Sequence, residues 1–82
     1  MLFLYMNLVN QYTYTEIVSL LLTKTVHFVS DCEFFPNFDV IGNVYNIKLN
    51  NSEIIFEISI KNKNRTIQIG SNMRNLQFEI IN

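Results

Sequence analysis

The chain has no alanine and only two glycines, one proline, one cysteine and two arginines. Each scarcity excludes something. With Cys32 alone there is no internal disulfide, so a reducing compartment, the cytoplasm, is the simpler expectation. One cysteine and one histidine, His27, cannot complete the three or four ligands of a zinc site, and neither a metal nor a cofactor is expected. His27 and Cys32, with Asp31 and Glu33 adjacent, would act as a nucleophilic pair only with the base in reach of the thiol and a group to orient it. A surface helix histidine followed by an incidental thiol is the simpler reading, so catalysis is not expected either. The motifs G-x-G-x-x-G, P-loop, H-E-x-x-H and G-x-S-x-G are absent. No window reaches the roughly 18–20 apolar residues of a membrane-spanning helix.

Charge is scarce too. Charged residues make up 16% of the chain, well under the roughly 25% usual for a soluble domain. A protein of 82 residues exposes much of its surface. Few charges therefore leave apolar surface in need of cover, which favours a homodimer or a protein partner. The net charge of −1 provides no general basic field for nucleic acid or an anionic membrane. Its distribution is mildly uneven: one base faces four acids in residues 1–40, and five bases face three acids in residues 41–82.

What is present is pattern. Apolar residues reach 49%, enough for a folded core, and the length suits one domain spanning residues 1–82. The apolar start, Met1-Leu2-Phe3-Leu4-Tyr5-Met6, lacks the basic flank and small-residue cleavage site of a signal. Residues 1–12 are expected to pack on the core as an extra strand or helix. Thr13-Tyr14-Thr15-Glu16 matches a capping box, in which each end residue's side chain takes the other's backbone N–H. Behind it Tyr14, Ile17, Val18, Leu21, Leu22, Phe28 and Val29 share one side of a helical wheel, which predicts a helix over about 14–30 against the β-branched Thr25, Val26 and Val29.

After Gly42 the period drops from 3.6 to 2. Tyr45, Ile47 and Leu49; Ile54, Phe56, Ile58 and Ile60; Ile67 and Ile69; and Leu76, Phe78 and Ile80 form four alternating runs, separated by turn-rich Asn, Ser, Lys and Gly residues. Pairing Leu49 with Ile54, Ile60 with Ile67 and Ile69 with Leu76 sets the apolar residues of these runs against one another on one face. The second pairing leaves Lys63-Asn64 as a two-residue turn. The fold expected is α+β: one amphipathic helix packed on a four-stranded antiparallel β-meander over about 43–81. The opposite face carries Asn46, Lys48, Glu57, Ser59, Thr66, Gln68, Gln77 and Glu79, with Val44, Ile55 and Ile81 as exceptions.

The open edges of the sheet are candidates for contacting a partner, where strand addition would also account for a dimer, and so are two clusters. Phe34, Phe35 and Phe38, around Pro36, form either an exposed aromatic anchor or a plug for the end of a small core. Lys61, Lys63 and Arg65 crowd a hairpin tip, where they serve as a solvated turn that discourages aggregation or grip phosphates or an acidic protein surface. Stoichiometric protein binding without turnover is the function these features favour. The abundance of Asn and Ile over residues with GC-rich codons suggests an AT-rich genome. That association extends the expectation to a phage or mobile-element inhibitor of a host defence enzyme, such as a nucleic-acid-guided nuclease complex. The alternatives are a nucleic-acid-binding module using the basic tip and a structural subunit of a larger assembly.

Overall fold

The computed structural model describes residues 6–31 and 38–81. Its elements run in the order β1 (Asn7–Leu8), a 3₁₀ turn (Val9–Gln11), α1 (Tyr14–Leu21), β2 (Thr25–Ser30), β3 (Phe38–Asn50), β4 (Glu53–Ile60), a second 3₁₀ turn (Lys61–Lys63), β5 (Arg65–Gly70) and β6 (Gln77–Ile80). The fold is α+β, with one helix and one antiparallel sheet. The sheet has six strands in the order β1-β6-β2-β3-β4-β5, where a four-stranded meander was expected.

The capping box forms as its residues demand. The Thr13 N–H donates to Glu16 Oε1 at 2.9 Å, and the Glu16 N–H donates to Thr13 Oγ1 at 3.2 Å. Ile17 and Leu21 are fully buried, and the Tyr14 hydroxyl donates to the Ile47 carbonyl at 3.2 Å, tying α1 to β3. The helix ends at Leu21, nine residues short of the expected 14–30 span. Thr23 adopts a left-handed φ of 72°, held by its N–H donating to the Val44 carbonyl and by the Asn43 amide donating to its own carbonyl. Beyond it the β-branched residues prevail over the wheel pattern: Val26, Phe28 and Ser30 point inward along β2, and Thr25 and His27 point to the outer face.

β3 is long because it serves two partners. Phe38–Asn43 pairs with β2, and Asn43–Asn50 pairs with β4. Phe28 lies opposite Val40, and Phe56 lies opposite Ile47. Along a straight strand those seven steps would separate the two phenylalanines by roughly 23 Å. Their ring centroids are 5.0 Å apart. The strand therefore turns sharply between them, which curls the sheet so that its two halves face each other across Phe28, Phe56, Phe78, Ile58 and Val44, with α1 closing one side.

Two devices make the turn possible. The ladder slips between Val44 and Asn46, leaving Tyr45 as the extra residue of a bulge. Val44 pairs with Ile58 and is fully buried, and Tyr45 is 48% exposed, the reverse of the assignment expected from simple alternation. Leu49, also expected inside, lies past the covered part of the sheet and is exposed. Gly42 supplies the close approach: a Cβ there would meet Ile58 Cγ2 and lie 2.7 Å from the Ser59 carbonyl oxygen.

The β3–β4 hairpin keeps its expected register, Leu49 opposite Ile54 and Ile47 opposite Phe56, across Asn51 and Ser52, both at positive φ as a type I′ turn requires. The β4–β5 hairpin slips by two from the expected register. Ile58, not Ile60, faces Ile67, because the loop is four residues, with Lys61–Lys63 in a 3₁₀ turn and Asn64 left-handed at φ 49°. A slip of two preserves the inner face. The last expected pairing, Ile69 with Leu76, does not form. Residues 71–76 carry the chain across to the far half, where Phe78 pairs with Phe28 and Asn7. That crossing is anchored at both ends. The Ser71 N–H and hydroxyl bond the Ile54 backbone, and the Arg74 carbonyl accepts from the Asp31 N–H and the Ser30 hydroxyl.

Two substitutions test this account by urea unfolding. Gly42→Ala is expected to lower stability by about 1–3 kcal/mol through overpacking against the Ser59 backbone, with an unchanged m-value. Thr23→Gly is expected to raise the unfolding free energy by up to about 1 kcal/mol, with a higher urea midpoint, because glycine relieves the left-handed strain of a β-branched residue. A drop for Thr23→Gly would show that its side chain contributes more than its backbone strain removes.

Candidate interaction site

Pleating sends alternate residues to opposite faces, so the outer face inherits the polar half of each strand. Asn46, Glu57 and Gln68 lie in one row across β3, β4 and β5. Asn46 Nδ2 and Gln68 Nε2 donate to the two carboxylate oxygens of Glu57 at 2.9 and 2.7 Å, and Lys48 Nζ lies 3.3 Å away. The Asn46 hydrogen bond first, then those from Gln68 and Lys48, hold the Glu57 carboxyl below its ordinary value. On the other half of the sheet His27 Nε2 contacts Asp39 Oδ1 at 2.6 Å, with Glu79 Oε1 3.9 Å from Nδ1. Because a carboxylate only accepts, the ring nitrogen is the donor in the short contact. His27 thus belongs to a cross-strand carboxylate pair rather than to the helix surface its sequence position suggested. Among the described residues no group of three histidine, cysteine or acidic side chains is arranged to hold a metal ion, and no helix is long and apolar enough to cross a membrane.

Of the six partner-contact candidates, Lys61, Lys63 and Arg65 stand together at the exposed β4–β5 tip, and none forms an ion pair with a described residue. Phe38 opens β3 and lies half-buried against the core. Phe34 and Phe35, like Cys32, fall outside the described residues.

The open sheet edges expected as docking surfaces could not be assigned to particular strands from the sequence. Among the described residues β5 pairs with β4 alone and closes one end of the sheet order. The Ser71 N–H donates to the Ile54 carbonyl, in the same ladder that sets Ile69 against Phe56, Ile67 against Ile58 and Arg65 against Ile60. Alternation then turns the N–H and C=O of Thr66, Gln68 and Gly70 away from β4, and on that open side the Gly70 carbonyl accepts from the Met73 N–H at 3.1 Å. The edge has one charged residue, no proline and no break in register. The opposite end of the sheet, β1, is only two residues long. Its signal in the sequence was weak: which of several alternating segments lies outermost depends on long-range pairing.

No protein-family model, curated protein or solved structure matches the chain.

The Glu57 network generates a pH prediction. Folding favours the ionised carboxyl, so its stabilisation is complete above the ordinary value of 4.5 and is lost as pH falls through the lower folded-state value. The stability gap between the wild-type chain and Glu57→Gln, read from urea midpoints, should be full near neutrality and shrink on acidification below that value. Parallel curves would remove Glu57 as the source.

Proposed function

We propose that this protein works by stoichiometric binding of another protein, without turnover, and that it accepts an extended segment of that partner along β5. The observation that carries the reading is the open row formed by the N–H and C=O groups of Thr66 and Gln68 and the N–H of Gly70, whose carbonyl is taken by the Met73 N–H, on a six-residue strand without the usual protections of an edge. Strand addition draws its affinity from such main-chain bonds and its selectivity from neighbouring side chains. Here those neighbours are Ile67 and Ile69 on the inner face and the basic tip of Lys61, Lys63 and Arg65 at one end, which favours an acidic partner segment. A second copy of the chain satisfies the same edge in an antiparallel pair centred on Gln68, so self-association is an expected competitor of the partner. The finer reading, an inhibitor from a phage or mobile element that occupies a host defence enzyme in the cytoplasm, extends this binding role and rests on composition.

The nucleic-acid reading draws on the same tip. It predicts affinity for single- or double-stranded probes that falls steeply with salt. A flat response would remove it.

Thr66→Pro separates these readings. Its N–H points away from β4, so proline there closes the edge without breaking the ladder. The variant is expected to keep its urea midpoint, to lose concentration-dependent self-association in sedimentation, and to bind any captured partner at least about tenfold more weakly, the equivalent of one or two lost hydrogen bonds. Retained capture by Thr66→Pro, with loss on Lys61→Glu/Lys63→Glu, would move the site from the edge to the tip.

A further inference from the structure

β5 is not the only place where the sheet stops pairing. The N-terminal half of β3 has β2 on one side, and β4 would continue along the other. Instead β4 ends at Ile60 and the chain leaves in the 3₁₀ turn of Lys61–Lys63. The direction of each backbone group follows by alternation. The Val44 N–H donates to the Lys24 carbonyl at 2.9 Å, and the Val44 carbonyl accepts from the Thr23 N–H at 2.8 Å, so Val44 addresses the β2 side. Gly42, Val40 and Phe38 do the same. Asn43 addresses β4, where Ser59 meets it. Ile41 and Asp39 point to the same side as Asn43, and among the described residues no strand is there to receive them.

The space beside Ile41 is open. A groove of about 350 Å³ is lined there by Ile41, Gly42 and Asn43 of β3, by Thr25 of β2 and by residues 59–62 at the end of β4, and Asp39 lies beyond it. Its volume is at the small end of the range for ligand sites, roughly 300–1,000 Å³. The Ile41 side chain is 51% exposed on the outer face.

We infer that this notch is a second peptide site, which takes a short acidic, apolar segment of a partner protein as an antiparallel strand against Asp39–Ile41. Two observations select that occupant. The free N–H and C=O groups recur at every second residue, a spacing of roughly 7 Å that an extended backbone matches. The charge is also polarised along the notch. Lys61 stands at the Gly42 end without an ion pair to a described residue, and the Asp39 carboxylate, 59% exposed, stands at the other end beside His27. An antiparallel segment starts at the Lys61 end, so its first residue is acidic, its next ones apolar against Ile41, and its last neutral to avoid Asp39. This rests on the reading of the chain as a strand-accepting protein but uses a different strand, so the two stand or fall separately.

The test is amide chemical-shift mapping of the full ¹⁵N-labelled chain, titrated with the blocked peptide acetyl-Glu-Val-Thr-Val-amide and its Lys-headed counterpart. Saturable shifts are expected at Asp39, Ile41 and Lys61. The Lys-headed peptide should bind at least about tenfold more weakly, as loss of a charge-assisted contact implies, and Lys61→Glu, at an exposed turn, should reverse the preference. Thr66→Pro should leave the titration unchanged. Shifts at Thr66, Gln68 and Gly70 without any at Asp39 and Ile41 would overturn the notch and leave the β5 reading standing. Absence of saturable shifts at Asp39 and Ile41 overturns it in every other case too. Shifts at Ile41 on simple dilution would assign the notch to a second copy of the chain, which equally overturns the proposal.

Discussion

Phe28 and Phe56 touch because β3 changes direction between the residues that flank them, and the rest of the molecule is arranged around that change. A strand shared by two ladders lets a small chain curl one sheet around its own core, so most of the apolar residues on six strands find cover with only one short helix. The local means are ordinary. A glycine where two backbones approach, and one extra residue at Tyr45, convert a straight strand into a corner. The consequence is global, since Val44, Ile58 and Phe78 would face nothing if the two halves lay flat.

The same corner produces the surfaces proposed to bind. Because β4 follows only the second half of β3, the first half keeps a free backbone row beyond Asn43. Because β6 returns to β2 and not to β5, the β5 row at Thr66 and Gln68 is left without a strand partner among the described residues as well. Both arise from how a fixed number of strands is distributed around a bent one. Between them sits the β4–β5 tip with Lys61, Lys63 and Arg65, so each open edge has a cation at one end. The remaining outer-face charges are largely engaged with one another: Glu57 with Lys48 and two amides, and His27 with Asp39.

How much was legible in advance differs by element. The capping box at Thr13 and Glu16, and the Asn51-Ser52 turn with its register, depend on contacts within a few residues, and there the pattern predicts correctly. The stretch from Thr25 to Ser30 fits both a helical wheel and a strand, because Val26, Phe28 and Ser30 sit two apart and Leu21, Phe28 and Val29 also share a helical face. Only the left-handed Thr23 and the presence of β3 and β6 on either side decide between them. Tyr45 and Val44 exchange places for a similar reason: alternation carries no mark of where a bulge falls.

From the sequence alone followed the class of fold, the inner set of Ile47, Ile54, Phe56, Ile58, Ile69 and Phe78, and the exposed basic tip. Each depends on side-chain polarity and on periods that neighbouring residues reveal. The strand order, the corner in β3 and both unpaired edges were decided only in three dimensions. Hydrogen bonding between backbones is nearly indifferent to side-chain identity, so which strand ends beside which, and which N–H and C=O groups are left over, emerges only when the whole sheet closes.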